Sequence, residues 1–325
     1  MNENREIREV IDFDSIMEGA KSAAIAGHAR PDGDCVGAAL GLGRFLKEHF
    51  PQAKIDVCLE MVPPEFFFLE GADTVLTDSE GKTYDVFFCL DCSTASRLGQ
   101  HAHLMKDCAK TVCIDHHLTA AAQAQICYID PQASSASELT ALAVGLENID
   151  EKAAECFYTG IVHDTGVFQY PCTSSRTMRL AGALMDKGIP YSRICEESFF
   201  AKTYLQQHLL ARAIQDSQLF FEGRVIASVI RKSTLDAYGA STSDLSGIVA
   251  QLRNTTGVEA SVFLYEMQEG EFRVSLRSNE KVDVCKVAVC FGGGGHIRAA
   301  GCTVCGDPDR IVEKLCGHIG KQLED

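Results

Sequence analysis

Four short clusters in this 325-residue chain carry side chains able to hold metal ions. The first is His28-Ala-Arg-Pro-Asp32-Gly-Asp34, the second Asp91, the third Asp115-His116-His117, and the fourth His163-Asp164. Carboxylates and imidazoles are the ligands that hard or borderline divalent cations prefer. Asp32, Asp34, Asp91 and Asp164 would repel one another strongly if they converged with no cation among them, so a convergent cluster implies bound metal. Two such ions about 3.5–4 Å apart acidify a shared water and clamp phosphate oxygens, which is hydrolytic chemistry without a covalent enzyme intermediate. Taken singly, each piece has a plainer reading. A lone His28 is more often a structural histidine, Asp32-Gly-Asp34 is more often a turn, and Asp91 could simply begin a loop. Gly33 is expected to permit an unusual backbone angle, so that both aspartates point at one site.

The elements that must position these clusters alternate between strand and helix. Residues 22–27 form an apolar run ending in Gly27, and 35–50 place Val36, Ala39, Leu40 and Leu46 at helical spacing. Residues 54–59, 84–90 and 111–114 read as strands, and 137–146 and 151–162 as helices. Ser174 or Ser175 suits the cap of a further helix that stops at Gly188, with Pro190 beyond it. The alternation predicts an open, mostly parallel sheet covered by helices. Three of the four clusters then fall just past the carboxyl ends of strands, where open α/β sheets bind ligands.

Residues 189–215 read as a largely helical connector, so the domains are expected at 1–188 and 216–325. The second is smaller and also α/β, with strands at 218–221, 224–230, 260–265 and 272–276 and helices at 242–254, 282–289 and 309–323. Its chemistry gathers at Gly292-Gly293-Gly294-Gly295, where the backbone can come close to a ligand and its N–H groups suit an anion. A surface loop is the plainer reading. His296 and Arg298 follow the run. Arg277 can fork onto a phosphate, or can be an ordinary exposed strand arginine.

Net charge is −15, with 12 Lys and Arg against 15 Asp and Glu in residues 216–325 and the larger share of the excess before them. Long duplex nucleic acid calls for a basic surface, which this chain lacks. There is no Trp, which disfavours an aromatic-lined channel for long single strands. Fifteen cysteines, an odd number irregularly spaced behind a polar start, read as reduced thiols in a cytoplasmic protein. Cys89-Leu-Asp-Cys92 and Cys302-Thr-Val-Cys305 are single CxxC pairs, each a weak zinc or redox signal. No apolar stretch of ~20 residues exists, so no membrane span is expected.

Together the motifs HARPDGD, the Asp of FFCLDC, IDHH and HDTGVF resemble the DHH phosphoesterase family, and FGGGGHIRAAG resembles its DHHA1 domain. The resemblance covers nearly the whole chain, and the compact length is similar to the bacterial nano-RNase/pAp phosphatase branch. It implies an N-terminal DHH domain with a mostly parallel sheet, a helical linker, and a smaller C-terminal DHHA1 domain with a mixed sheet. It implies one metal on His28, Asp32 and Asp91, and a second on Asp34, Asp91, His116 and Asp164, with Asp91 shared and Mn²⁺ the usual ion. Asp115 would orient the histidines and His117 would face the scissile phosphate. Substrate would be held by Arg277, His296, Gly293, Gly294, Gly295 and Arg298. Ser135 belongs to a stretch similar to a family loop near the substrate, although an N-cap explains it equally well. The implied substrates are short RNA oligonucleotides, linear dinucleotides such as pApA and pGpG, and pAp, hydrolysed by a chain that could form a homodimer. The competing expectations are a RecJ-like exonuclease, a cyclic-dinucleotide phosphodiesterase, and a nucleotide sensor without turnover.

Overall fold

The computed structural model describes residues 11–92, 94–117 and 124–324, and for His296 the backbone alone. The chain divides into two compact units, Met1–Ala201 and Lys202–Asp325. The division falls inside the segment read as a connector.

In the first unit five strands pair in the order β2-β1-β3-β4-β5, all parallel. They are β1 (Ser22–Ala26), β2 (Lys54–Cys58), β3 (Val86–Leu90), β4 (Lys110–Asp115) and β5 (Ile126–Ile129). Every side chain of β3 is buried, as a parallel strand covered on both faces requires. Helices α1 (Gly33–His49), α2 (Ala136–Val144), α3 (Glu151–Asp164) and α4 (Ser175–Met185) belong to this unit. The main core joins α1, α2 and α3 to one sheet face through Val36, Leu40, Leu139, Phe157, Ile25 and Phe88. The opposite face buries Ala24, Ala26, Phe87, Cys89 and Cys113 under Leu98 and Leu104. Strand β5 was not foreseen, because its four half-buried residues carry no clear alternation.

The second unit holds a six-stranded mixed sheet in the order β10-β11-β9-β8-β7-β6. Its strands are β6 (Gln218–Phe220), β7 (Val225–Ile230), β8 (Ala260–Gln268), β9 (Glu271–Ser278), β10 (Gly294–His296) and β11 (Ala299–Cys305). Only β7 and β8 run parallel. Alternate residues face two cores. Val262, Leu264, Phe272 and Val274 pack against α8 (Val284–Cys290) and α9 (Pro308–Glu324). Ile226, Ile230 and Phe263 pack under α5 (Tyr204–Gln215), α6 (Lys232–Tyr238) and α7 (Ile248–Arg253).

Two expectations change here. The helix read over 242–254 is a 3₁₀ turn, Thr242–Leu245, followed by α7, because Gly247 turns left-handed at φ 84°. The glycine run is a loop only in its first half: Gly294–His296 forms edge strand β10, paired antiparallel to β11.

Candidate metal centre

Strand order decides where the clusters meet. β1 pairs with β2 on one side and β3 on the other, so the connections diverge and a crevice opens beyond the carboxyl ends of β1 and β3. His28 lies just past β1, Asp91 directly follows β3, and Asp115 is the last residue of β4.

Asp91 stands at the centre, buried, with a left-handed φ of 50° that aspartate tolerates better than most residues. Its Oδ2 lies 3.3 Å from His28 Nε2. Its Oδ1 lies 3.5 Å from His116 Nε2 and 3.5 Å from His117 Nδ1. The two oxygens therefore face two different groups of side chains. Oδ1 is sealed from solvent and accepts no hydrogen bond, a costly state that a cation would relieve. Three sets bring one ligand atom per residue within 4.8 Å of the others: His28, Cys35 and Asp91; Asp91, His116 and His117; and Asp34, His116 and Asp164. His116 Nε2 is 3.8 Å from Asp34 Oδ2 and 3.4 Å from Asp164 Oδ2. An orphaned carboxylate oxygen amid hard and borderline donors fits divalent metal.

The two aspartates of the first motif have separate tasks. Asp32 is 62% exposed and caps α1, its Oδ1 accepting from the Asp34 and Cys35 N–H groups at 3.1 Å each. Asp34 is buried, and its two oxygens accept from Ala136 N–H at 2.7 Å and Ser137 N–H at 2.8 Å, the opening amides of α2. A helix N-terminus stabilises such a buried carboxylate by up to about 2 kcal/mol. Gly33 lies inside α1 rather than in an unusual backbone region; a side chain there would run into the His163 ring. His163 in turn bonds Ser198 Oγ at 3.0 Å and packs between Phe66 and Phe199, so it is structural.

Asp115 Oδ1 accepts from the His116 and His117 N–H groups at 2.7 and 3.1 Å, and from His117 Nδ1 at 2.8 Å. This fixes the His117 ring and leaves Nε2 to face Arg97 Nη1 at 3.4 Å. Buried Asp115 touches only the backbone of His116 in these bonds.

The charges shape one another. Burial disfavours a charged His28, but Asp32 and Asp91 together outweigh it and push its pKa up to about 11. His116 is likewise disfavoured by burial and pushed up to about 10 by Asp91, Asp34 and Asp164. Burial and the charge of Asp91 lift Asp34 to about 7. Asp91 is opposed by burial, yet His116 and His28 hold it well below the usual carboxylate range. Without metal, protonated imidazoles are the cations of this cluster.

Ser135 departs from the substrate contact expected of it. It is fully buried, and its hydroxyl accepts from Glu138 N–H at 2.9 Å as the cap of α2. Glu138, also buried, binds Ser134 Oγ and Arg176 Nε at 2.5 Å each, and Arg176 reaches Asp130 at 3.0 Å. In the second unit Ala299 pairs with Arg277 on one side and His296 on the other, so these three register positions form one row across the sheet. The His296 side chain lies outside the described residues. Arg277 Nη1 bonds the Leu276 carbonyl at 2.9 Å. Gly293 and Gly295 have a packing reason: added side chains would meet Gly301 O and Ala299 O respectively. Gly294 faces open space. Arg298 departs from a phosphate-facing role, because its guanidinium bonds Val282 O at 2.8 Å and also Glu280 O, clasping a loop.

Sequence reasoning missed Arg97 and Cys35. Arg97 comes to the site because its carbonyl accepts from Ala29 N–H at 2.6 Å, a contact no local pattern announces. Cys35 was readable as the third residue of α1, one position past Asp34, but a lone thiol there looked like core.

The DHH family, N-terminal domain, matches residues 22–161, and the DHHA1 domain matches residues 222–320. The chain belongs to the DHH family, and its class of chemistry is phosphoester hydrolysis. It is 31% identical over 299 residues to the bifunctional oligoribonuclease and PAP phosphatase NrnA of Bacillus subtilis (strain 168), covering 89% of this chain and 93% of that one. It is 29% identical to the protein of the same description from Thermus thermophilus, covering 92% and 89%. An exopolyphosphatase-related protein from Bacteroides fragilis has a similar structure, with TM-score 0.90, 25% identity, and coverage of 96% and 95%.

Proposed function

We propose that this protein is a two-metal phosphoesterase that hydrolyses RNA oligonucleotides of two to about five residues to 5′-mononucleotides and also converts pAp to AMP. The observation that carries the reading is the division of Asp91, one oxygen toward His28 and the other toward His116 and His117. His28, Asp32 and Asp91 would hold one ion, and Asp34, Asp91, His116 and Asp164 the other. Two bound divalent ions would supply Lewis acidity and an acidified water.

The chain's own residues do the rest. Asp91 fixes the spacing of the two ligand groups. The α2 amides and Asp115 hold Asp34 and His117 in place before substrate arrives, as preorganised catalysis requires. His117 presents Nε2 to the reacting phosphate, where it donates a proton to the leaving oxygen or stabilises its charge. Arg97, beside that nitrogen, binds a phosphate oxygen. In the second unit, Arg277 and His296 are the substrate contacts that the family resemblance implies. The acidic balance favours short ligands and linear dinucleotides over long strands.

The test offers the purified protein, with Mn²⁺, a 5′-labelled RNA dinucleotide, pAp, a long RNA and single-stranded DNA in parallel. Turnover of the dinucleotide and pAp is expected. Rapid cleavage of the long RNA or the DNA with an untouched dinucleotide would sink the reading in favour of a RecJ-like enzyme. Nucleotide binding without turnover would make the protein a sensor.

A further inference from the structure

Among the described residues, Cys35 is the only cysteine in a group able to hold a metal: its Sγ, a His28 nitrogen and an Asp91 oxygen lie within 4.8 Å of one another. The thiol is fully buried in the first turn of the 17-residue helix α1. Its position is set by backbone, not by a loop. A side chain on Gly27 would collide with Sγ, so the sulfur occupies the space over the end of β1. Its contact to the His28 carbonyl is 4.0 Å, a long and weak one. Asp91 presents Oδ2 to this side, 3.3 Å from His28 Nε2, while its orphaned Oδ1 faces His116 and His117. Asp32, the ligand that the family resemblance assigns here, is exposed and already caps α1 with the oxygen that lies 3.7 Å from His28 Nε2.

We propose that Cys35 Sγ is a ligand of the first metal, completing a His28–Cys35–Asp91 set of nitrogen, sulfur and oxygen donors that takes Zn²⁺, Co²⁺ or Fe²⁺ in preference to Mn²⁺. This rests on the two-metal reading above. Thiolate selects softer ions, whereas carboxylate and water suit Mn²⁺. The second set, Asp34, His116 and Asp164 with Asp91, contains no sulfur and remains a Mn²⁺ site. The centre is therefore asymmetric, with a different ion favoured on each side. Burial, then the charges of Asp91, Asp32 and Asp34, push the Cys35 thiol up. On binding, the S–H bond breaks, the proton leaves to solvent, and the sulfur's electron pair forms the metal bond. No oxidant or reductant takes part.

The test titrates metal-free full-length protein with Co²⁺ and records its near-ultraviolet and visible absorption. A thiolate-to-cobalt charge-transfer band should appear in the wild type and vanish in Cys35→Ser. In competition, the preference for Zn²⁺ over Mn²⁺ should fall at least tenfold in Cys35→Ser. X-ray absorption on the wild type with one Zn²⁺ should show a sulfur neighbour at about 2.3 Å, which needs no variant to fold. A zinc shell of nitrogen and oxygen alone, or a cobalt band that survives in Cys35→Ser, overturns the role of Cys35 and leaves the two-metal centre standing. Failure of the wild type to bind any Co²⁺, Zn²⁺ or Mn²⁺ overturns both.

Discussion

The carboxyl edge of the first sheet and the β9–β11 edge of the second were both picked out from motifs, but the two regions use their motif residues differently. At the first edge the same side chains build the fold and assemble the site. Asp32 caps a helix, Asp34 ties α1 to α2, and Asp115 locks a histidine, while all of them border one cluster of charge. At the second edge, Gly293, Gly295 and Arg298 serve strand and loop packing, and Arg277 and Gly294 are ligand contacts only on the proposed reading. A motif at a strand's end in a parallel sheet thus reports chemistry directly, whereas a glycine run reports backbone proximity of either kind.

Breaking the first region at its centre should have the largest effect. Asp91→Asn keeps a residue tolerant of φ 50° but removes the shared charge. It should lose metal, measured by elemental analysis, and cut turnover roughly a thousandfold or more. Retention of both would remove Asp91 from its bridging place. At the second edge, Gly293→Ala forces a methyl into the Gly301 carbonyl. Denaturant titration should show a loss of about 1–3 kcal/mol with metal content intact. A neutral result would mean that β10 yields freely.

The protonated imidazoles give a pH dependence with a definite sign. His28 and His116 are raised to about 11 and about 10, so near neutrality both must release a proton to bind metal. Metal affinity should therefore rise with pH, by up to about tenfold per unit for each proton released. Calorimetry at one pH in buffers of different ionisation enthalpy counts those protons, and a count of zero would contradict the assignment. In the metal-free protein the sign is opposite. The stability these raised groups contribute is full below the ordinary histidine pKa and fades as pH climbs toward about 10.

The two arginines of the second edge make the sharper contrast. Arg277→Ala should raise KM about tenfold, as loss of a charged contact to phosphate predicts. Arg298→Ala should do the reverse, leaving KM alone and lowering stability by about 1–2 kcal/mol through its lost carbonyl bonds. Exchanged outcomes would exchange their roles. Smallest is Ser135→Ala, which removes a helix cap worth about 1 kcal/mol; a change in KM instead would restore the substrate contact expected from sequence.

The metal clusters were legible because β1, β3 and β4 are short apolar runs, and parallel strands send all their ends to one crevice. What escaped were features set by contacts distant in sequence. Arg97 is delivered by a bond to Ala29, and Gly33 is dictated by His163. β11 went unread because Ala299, Gly301 and Thr303 alternate with Ala300 and Cys302, which offers too little contrast in polarity to show a period of two. Gly247 sits in a stretch whose apolar spacing continues past it, so the break in the helix was hidden.

The two α2 amides that hold Asp34 have a consequence for how the protein meets its metal. A carboxylate already gripped by a helix does not wait for an ion to find its place, and Glu138 and Arg176 fasten that helix from behind. On the proposed two-metal reading, a shortage of metal should therefore leave an idle protein rather than an unfolded one.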